Sequence, residues 1–313
     1  MGNDNMKYEA VGIHKEWIKP ALPSAVEFRA PIEEVRFFEI KKAKDVCFIA
    51  LGFEEKLKLV FENFKEWEME MLDIAQTYLL WRRSNYDSME HRQSLDRRLA
   101  NILTSFRLYI DQTDHQISEI FGNPSAQLER VKNFKSSLYD KYFGYRFFEA
   151  MRNHVQHCAL PVQIITYSEK HDPQKDTCYK ITIAPKMTLE DFEGVESFKK
   201  SILEEVKGMG GKVDLRYPAR EYLFCLVLLH KELRASLAPA LEPARAVYME
   251  AITQYSKAGD YQLEHVHLQR LSSTGVMAEQ IDLITEFVDA YDNLYKLNSS
   301  IPDILKASVS NAI

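Results

Sequence analysis

Apolar side chains recur at steps of three and four along most of residues 53–157, and this spacing constrains the fold more than any other feature. A period near 3.6 places the apolar positions in one stripe along an α-helix. The stripe occurs three times, over residues 53–83, 88–121 and 125–157, with short polar or Gly/Pro breaks between. Three long helices with short connections predict an antiparallel bundle. Gly144 marks a point where the third helix kinks or divides.

The rest of the chain predicts smaller elements around this bundle, giving a mainly α-helical fold class with a central β-hairpin and further C-terminal helices. We expect a mixed N-terminal segment at 1–52, the bundle at 53–160, a hairpin at 161–186 and a helical region at 187–313. Within these segments the patterns indicate strands at 35–40, 46–50, 162–167 and 178–183 and helices near 188–206, 218–237, 241–257 and 278–297.

Composition limits the classes of function. The 313 residues are 46% hydrophobic with a net charge of -6, which is typical of a globular protein without long-range attraction to nucleic acid. No apolar run reaches the length of a membrane span, and the N-terminus lacks the apolar core of a signal peptide. The four cysteines lie far apart, at Cys47, Cys158, Cys178 and Cys225, which argues against a zinc site or disulfide framework. We therefore expect a cytoplasmic protein with reduced thiols.

One segment concentrates groups that could handle a phosphate or a proton. Arg152, Asn153, His154 and His157 stand together at the end of the third predicted helix. The arginine fork matches phosphate, and histidine moves protons near neutral pH, so the segment could cleave RNA without a metal. On a regular helix, however, Arg152 and His157 lie about 140° apart. They converge only if the arginine reaches round, the helix end unwinds, or a second copy of the protein supplies the partner.

Residues 152–157 resemble the R-x4-6-H signature of the HEPN superfamily, including its polar residue directly after the arginine. The resemblance covers residues 53–160 and extends to the bundle of long helices. Many members of the superfamily are metal-independent ribonucleases of toxin–antitoxin, phage-defence and CRISPR systems, whereas others are inactive or serve as binding modules. Carried over by position, the resemblance implies catalytic roles for Arg152 and His157 and a supporting role for Asn153. It also implies an RNA substrate, a homodimer and an antitoxin or defence-system partner, with no metal and no cofactor.

Two structural alternatives stand beside this interpretation. Arg152 and His157 could cap the carboxyl end of their helix, where positive charge is favoured, or bond the hairpin, in a non-catalytic scaffold or ligand-sensing module. A cluster of arginines near the first helix–helix turn could bind the RNA backbone or form a solvated face balanced by acidic neighbours. With His154, the candidates for substrate binding are Arg82, Arg83, Arg92, Arg97 and Arg98, and their acidic neighbours are Asp87, Glu90 and Asp96.

Two weaker patterns favour structural roles. The glycine-rich segment 208–212 lacks the spacing of a phosphate loop and is expected to be a turn. His265 and His267, with no third obvious ligand, are expected to be surface residues and not a metal site.

Overall fold

The computed structural model describes residues 6–14, 27–81, 87–157, 159–171, 179–192, 198–259 and 261–306, and it is mainly α-helical, as predicted. None of the described helices combines the length and the apolar character that a membrane span requires. In chain order the elements are β1 (Lys7–His14), β2 (Glu27–Pro31), α1 (Glu34–Trp81), α2 (Asp87–Phe121), α3 (Ala126–Lys141), α4 (Phe143–His157), β3 (Ile164–His171), β4 (Tyr179–Thr188), a 3-10 turn (Leu189–Asp191), α5 (Lys200–Gly208), β5 (Lys212–Asp214), α6 (Arg216–Tyr255), β6 (Lys257–Ala258), β7 (Tyr261–Leu271), β8 (Met277–Asp282) and α7 (Glu286–Ser299).

The chain forms two compact units. Unit 1 comprises Met1–Glu54 and Leu237–Leu297, and unit 2 comprises Glu55–Ser236 and Asn298–Ile313. Helices α1 and α6 each contribute residues to both units, and the motif at 152–157 belongs to unit 2.

The core of unit 2 is built on the apolar stripes that the sequence predicts. The second predicted helix is confirmed as α2, which buries a stripe at steps of three and four. Ser125 begins α3 by accepting the amide of Leu128 on its hydroxyl, at 3.3 Å, in the manner of a helix N-cap. The buried residues of the α2 stripe are Leu95, Leu99, Ile102, Leu103, Phe106 and Ile110.

The third predicted helix is divided near Gly144, and close packing explains the division. Tyr142 has extended dihedral angles, φ -109 and ψ 122, and separates α3 from α4. A Cβ atom at Gly144 would lie 2.6 Å from the carbonyl oxygen of Pro218, so only glycine fits this approach to α6. The amide of Gly144 donates to the carboxylate of Glu221. The first turn of α4 is therefore held against α6 by its own backbone.

The hairpin predicted at the centre of the chain is confirmed as β3 and β4, which pair antiparallel from Ile164↔Lys186 to His171↔Tyr179. Strand β5 adds a third strand beside β4. The helix predicted near 188–206 is replaced by the 3-10 turn and α5, with residues 193–197 outside the described part. Gly210 and Gly211, at φ of 85° and 72°, end α5 in the turn expected at 208–212.

Two strands predicted near the N-terminus are wrong, because residues 35–40 and 46–50 belong to α1. A short apolar run fits a buried strand and a buried helix equally well, so periodicity over five or six residues did not separate them. The stretch in fact buries residues at steps of three and four, namely Phe37, Ile40, Ala43, Val46 and Ala50.

Two predictions near the C-terminus also need correction. The helices predicted at 218–237 and 241–257 form the single helix α6, which contains Pro239 and Pro243. These prolines are four residues apart, so their missing amide donors fall on one side of the helix. The helix predicted at 278–297 begins only at Glu286, because its first part forms β8 and pairs with β7.

Unit 1 contains a sheet that the sequence did not predict. Its strands follow the order β2-β1-β7-β6, all antiparallel, and β8 also pairs with β7. The pairing of β1 with β7 is interrupted between Val11 and Ile13 by a bulge, in which β7 holds the extra residue. Glu9 is 4% exposed in this sheet and accepts hydrogen bonds from Arg29 and Gln269, both at 3.2 Å. These bonds allow a carboxylate to lie within the sheet.

Candidate active site

Helix α4 is fixed along one face by buried side chains, and Asn153 lies exposed near its carboxyl end. Phe147, Phe148 and Met151 are fully buried, and the ring of Phe148 lies 5.2 Å from that of Tyr222 on α6. At the start of the helix, Arg146 donates to the carbonyl oxygens of residues 139 and 140 and to Glu205, at 2.6–2.7 Å. The carboxyl end of α4 is therefore the part of the helix where polar side chains could act on a substrate.

Arg152 and Asn153 form a polar pair near this end. The Nη1 group of Arg152 donates to the Oδ1 atom of Asn153 at 3.1 Å, and Asn153 is exposed. The Nε group of Arg152 is buried and has no hydrogen-bond partner in the described part of the chain. No described carboxylate pairs with this guanidinium, whereas Arg107 pairs with Asp111 at 2.6 Å and Arg146 with Glu205 at 2.7 Å. The positive charge of Arg152 is therefore not neutralised within the described structure.

His157 is the last residue of α4, and its side chain lies outside the described part. The backbone remains helical from Phe143 to His157, so positions 152 and 157 lie about 140° apart around the helix axis. The helix end does not unwind before His157. Convergence of these two groups on one phosphate then depends on the reach of the arginine or on a second copy of the chain.

His154 lies in the interior. It is 3% exposed, its ring is 5.9 Å from that of Phe198, and neither ring nitrogen has a partner among the described residues. Burial lowers the pKa of His154, and the charge of Asp191 partly opposes this effect. The ring therefore packs in its neutral form and does not share the exposed surface of Asn153.

Asp96 on α2 belongs to this region, although sequence reasoning placed it on a solvated face. Its carboxylate is 2% exposed, and the Oδ1 atom accepts the amide of Val162 at 2.7 Å. The Oδ2 atom is buried without a described partner. Burial raises the pKa of Asp96 to about 6, although the Val162 amide and the charge of Arg92 lower it. The sequence signal that could have revealed this burial is the position of Asp96 between Leu95 and Leu99, on the apolar face of the helix.

The predicted arginine cluster is only partly described. Arg82 and Arg83 lie outside the described residues. Arg98 is paired with Glu66 and Glu70, Arg97 is exposed, and Arg92 has a buried Nε group without a described partner. Arg97 is thus available to solvent, whereas the charge of Arg98 is already balanced.

Three half-buried rings form a cluster beside the arginines, and sequence reasoning missed it. The Nδ1 atom of His91 lies 2.8 Å from the hydroxyl of Tyr167, and the rings of Tyr78 and Tyr167 are 5.2 Å apart. Asp96 and His91 both contact the stretch 162–167, so α2 joins the exit from α4 to the ring cluster.

Unit 1 carries other polar features. A cavity of about 370 Å³ is lined by residues that include Gly12, Arg29, Tyr255 and Lys257. His265, at φ 51°, and His267 lie on β7, and the described residues contain no group of three or more His, Cys, Asp or Glu side chains with the geometry of a metal site.

Comparisons with models of protein families, with curated proteins and with solved structures found no match for this chain. Three features of the described residues bear on function: the guanidinium of Arg152, which has no described carboxylate partner, the carboxyl end of α4, and the buried contact between Asp96 and Val162.

Proposed function

We propose that this protein is a cytoplasmic, metal-independent endoribonuclease of a prokaryotic defence, toxin or stress system, in which Arg152 and His157 act on an RNA phosphodiester. The observation that carries the proposal is the guanidinium of Arg152, which lies near the end of α4, is bonded to Asn153 and has no described carboxylate partner. An arginine left with free donors is suited to a phosphate, which it can bind through two parallel hydrogen bonds.

The reaction would proceed by attack of a ribose 2′-oxygen on the adjacent phosphorus. A general base takes the proton of the 2′-hydroxyl, the bond from phosphorus to the 5′-oxygen breaks, and a general acid donates a proton to that oxygen. The products are a 2′,3′-cyclic phosphate and a 5′-hydroxyl. His157 would act as the acid or the base. Arg152 would stabilise the charge on the phosphate oxygens, and Asn153 would orient the guanidinium or bond the substrate.

A homodimer would complete the site. Because α4 is helical to its end, positions 152 and 157 of one chain lie on different sides of the helix. In a dimer, the phosphate held by Arg152 of one subunit could meet His157 of either subunit. Two copies also supply the two histidines that acid and base steps require. An antitoxin or other defence-system protein is the regulatory partner that this class of enzyme would need.

A non-catalytic scaffold or ligand-sensing module is the second candidate. The observation that favours it is the burial of Arg152 at its Nε group and of the whole His154 ring, which shows that part of the motif packs inside unit 2. In such a protein the bond from Arg152 to Asn153 would only fix the end of α4.

The deciding experiment is cleavage of single-stranded RNA in the presence of EDTA by the full-length protein. We expect His157→Ala and Arg152→Ala each to lower kcat by about 10²–10⁴-fold, the range for loss of acid–base catalysis, with 5′-hydroxyl ends in the wild-type products. His115→Ala and Arg130→Ala are matched controls, since both side chains are more than half exposed and belong to other parts of unit 2. Cleavage by His157→Ala at the wild-type rate would exclude the mechanism and favour the scaffold.

A further inference from the structure

We propose that Asp96 is a positioning residue that holds the segment leaving α4 and thereby fixes the place of His157 relative to α2. The positioning is a property of unit 2 alone. Its catalytic consequence rests on the proposed ribonuclease function.

The contact that carries this inference is buried from both sides. The Oδ1 atom of Asp96 accepts the amide of Val162 at 2.7 Å, and the two residues are 2% and 1% exposed. Water therefore does not compete for this amide, and an acceptor of the right length is required. The contact joins positions 66 residues apart in the chain, so it fixes tertiary structure and not a local turn.

The segment from His157 to Val162 is short and held at further points. Five residues span at most about 17 Å, so the position of Val162 limits where the end of α4 can lie. The amide of Ala159 donates to the carbonyl oxygen of His154 at 3.3 Å. The amide of Gln163 donates to the carbonyl oxygen of Lys186 at 3.2 Å. Asp96 supplies the one side-chain acceptor among these backbone contacts, and it lies on a different helix.

A carboxylate is an expensive choice at this position if stability is the only requirement. Asp96 lies between Leu95 and Leu99 on the buried face of α2, its Oδ2 atom has no described partner, and the Nε group of nearby Arg92 has none either. Replacing buried charged groups by apolar side chains of similar volume often stabilises a protein. A polar side chain on this apolar face therefore points to a need for an acceptor, which the amide of Val162 uses and for which charge is not required.

Two substitutions distinguish the effect of the Oδ1 acceptor from the effect of the negative charge of Asp96. Asp96→Asn keeps an Oδ1 atom that can accept the amide of Val162, whereas Asp96→Ala removes it. In hydrogen–deuterium exchange we expect Asp96→Ala to speed exchange of amides in residues 159–163 by roughly tenfold, the scale of one hydrogen bond, and Asp96→Asn to leave it near the wild-type rate. Asp114→Ala, on the same helix but paired with Lys135, is the matched control and should change nothing at 159–163.

The second readout is cleavage. We expect Asp96→Ala to lower kcat at least about tenfold with KM for RNA unchanged, and Asp96→Asn to keep kcat near the wild-type value, because the acceptor holds the segment that leaves α4 and does not bind substrate. If Asp96→Ala does not fold, Asp96→Ser replaces it, since a hydroxyl one atom shorter fits the space without reaching the amide.

Unchanged exchange at 159–163 in Asp96→Ala, or equal exchange in Asp96→Ala and Asp96→Asn, would overturn the positioning role. If the wild-type protein cleaves no RNA, the proposed function fails while the exchange result still decides the role of Asp96. If cleavage is present and Asp96→Ala matches the wild-type kcat, Asp96 has no influence on the catalytic end of α4.

Discussion

Replacement of Asp96 by asparagine should stabilise the protein at neutral pH and not at acid pH. Burial raises the pKa of this carboxyl from an ordinary 3.8 to about 6. That change makes the ionised carboxylate about 3 kcal/mol less favourable in the folded protein than in the unfolded chain. Asparagine fills nearly the same space and carries no charge at any pH, so it removes this cost.

The sign of the pH dependence follows from proton binding. Between pH 3.8 and about 6 the folded protein holds the Asp96 proton and the unfolded chain releases it. The free energy of unfolding therefore falls as the pH rises through this window. The contribution of Asp96 is most favourable below pH 4 and is about 3 kcal/mol less favourable by pH 7.5. The difference between Asp96→Asn and the wild type should grow by that amount over the same range.

Urea unfolding at pH values from 4 to 7.5 measures this difference. Trp67 is fully buried and lies in unit 2, so its fluorescence reports on the unit that contains Asp96. Asp114→Asn is the control, because the Asp114 carboxylate is 39% exposed in a surface ion pair with Lys135 and should alter stability by less than about 1 kcal/mol. A difference between Asp96→Asn and the wild type that stays constant from pH 4 to 7.5 would refute the reasoning, because it would show that Asp96 ionises at the same pH in both states.

Three further predictions concern other parts of unit 2. Gly144→Ala should lower the melting temperature and reduce the free energy of unfolding by about 1–3 kcal/mol, because its new methyl group would lie 2.6 Å from the carbonyl oxygen of Pro218. An unchanged melting temperature would contradict the close approach. Under the proposed function, Tyr167→Ala should raise KM for single-stranded RNA by about 5- to 100-fold while preserving kcat, because it removes a ring on which a base can stack. Tyr217→Ala, at an exposed ring outside the cluster, should leave KM unchanged. His154→Leu should raise the melting temperature more at pH 5 than at pH 8. The pKa of His154 is lowered in the folded protein, so the wild type loses stability as the pH falls, whereas the leucine variant does not. A gain in melting temperature that is independent of pH would contradict this.

Local patterns in the sequence predicted those parts of the fold whose contacts are local. In helix α2 and in the hairpin of β3 and β4, the spacing of apolar residues can be recognised within ten to twenty residues of sequence. The sheet of unit 1 was missed because its central pairing joins β1 to β7, about 250 residues later in the chain, and because β8, the hairpin partner of β7, was predicted as part of a helix. Glu9 and Arg29 added to the difficulty, since charged residues suggest a surface until their mutual contact is known.

The residues of the candidate site likewise include some that local sequence could predict and one that it could not. Arg152 and Asn153 are neighbours in sequence, and their side-chain bond was within reach of motif analysis. Asp96 was not, because its chemical meaning depends on the amide of Val162 and on burial, and neither is visible in the residues around position 96. The arginines near Asp96 also suggested a solvated face, whereas the carboxylate is 2% exposed.

The location of Arg152 and His157 in the last two turns of α4 has a consequence for association kinetics. The carboxyl end of a helix carries about half an elementary negative charge, and the whole chain carries a net charge of -6. An RNA molecule would therefore approach this end without long-range attraction, in contrast to proteins whose basic surfaces draw nucleic acid in at rates near the diffusion limit. Under the proposed function, encounter would be slow and would become slower at low salt, where the repulsion between the chain and the RNA is least screened. The guanidinium of Arg152 would contribute only once a phosphate is within hydrogen-bonding distance.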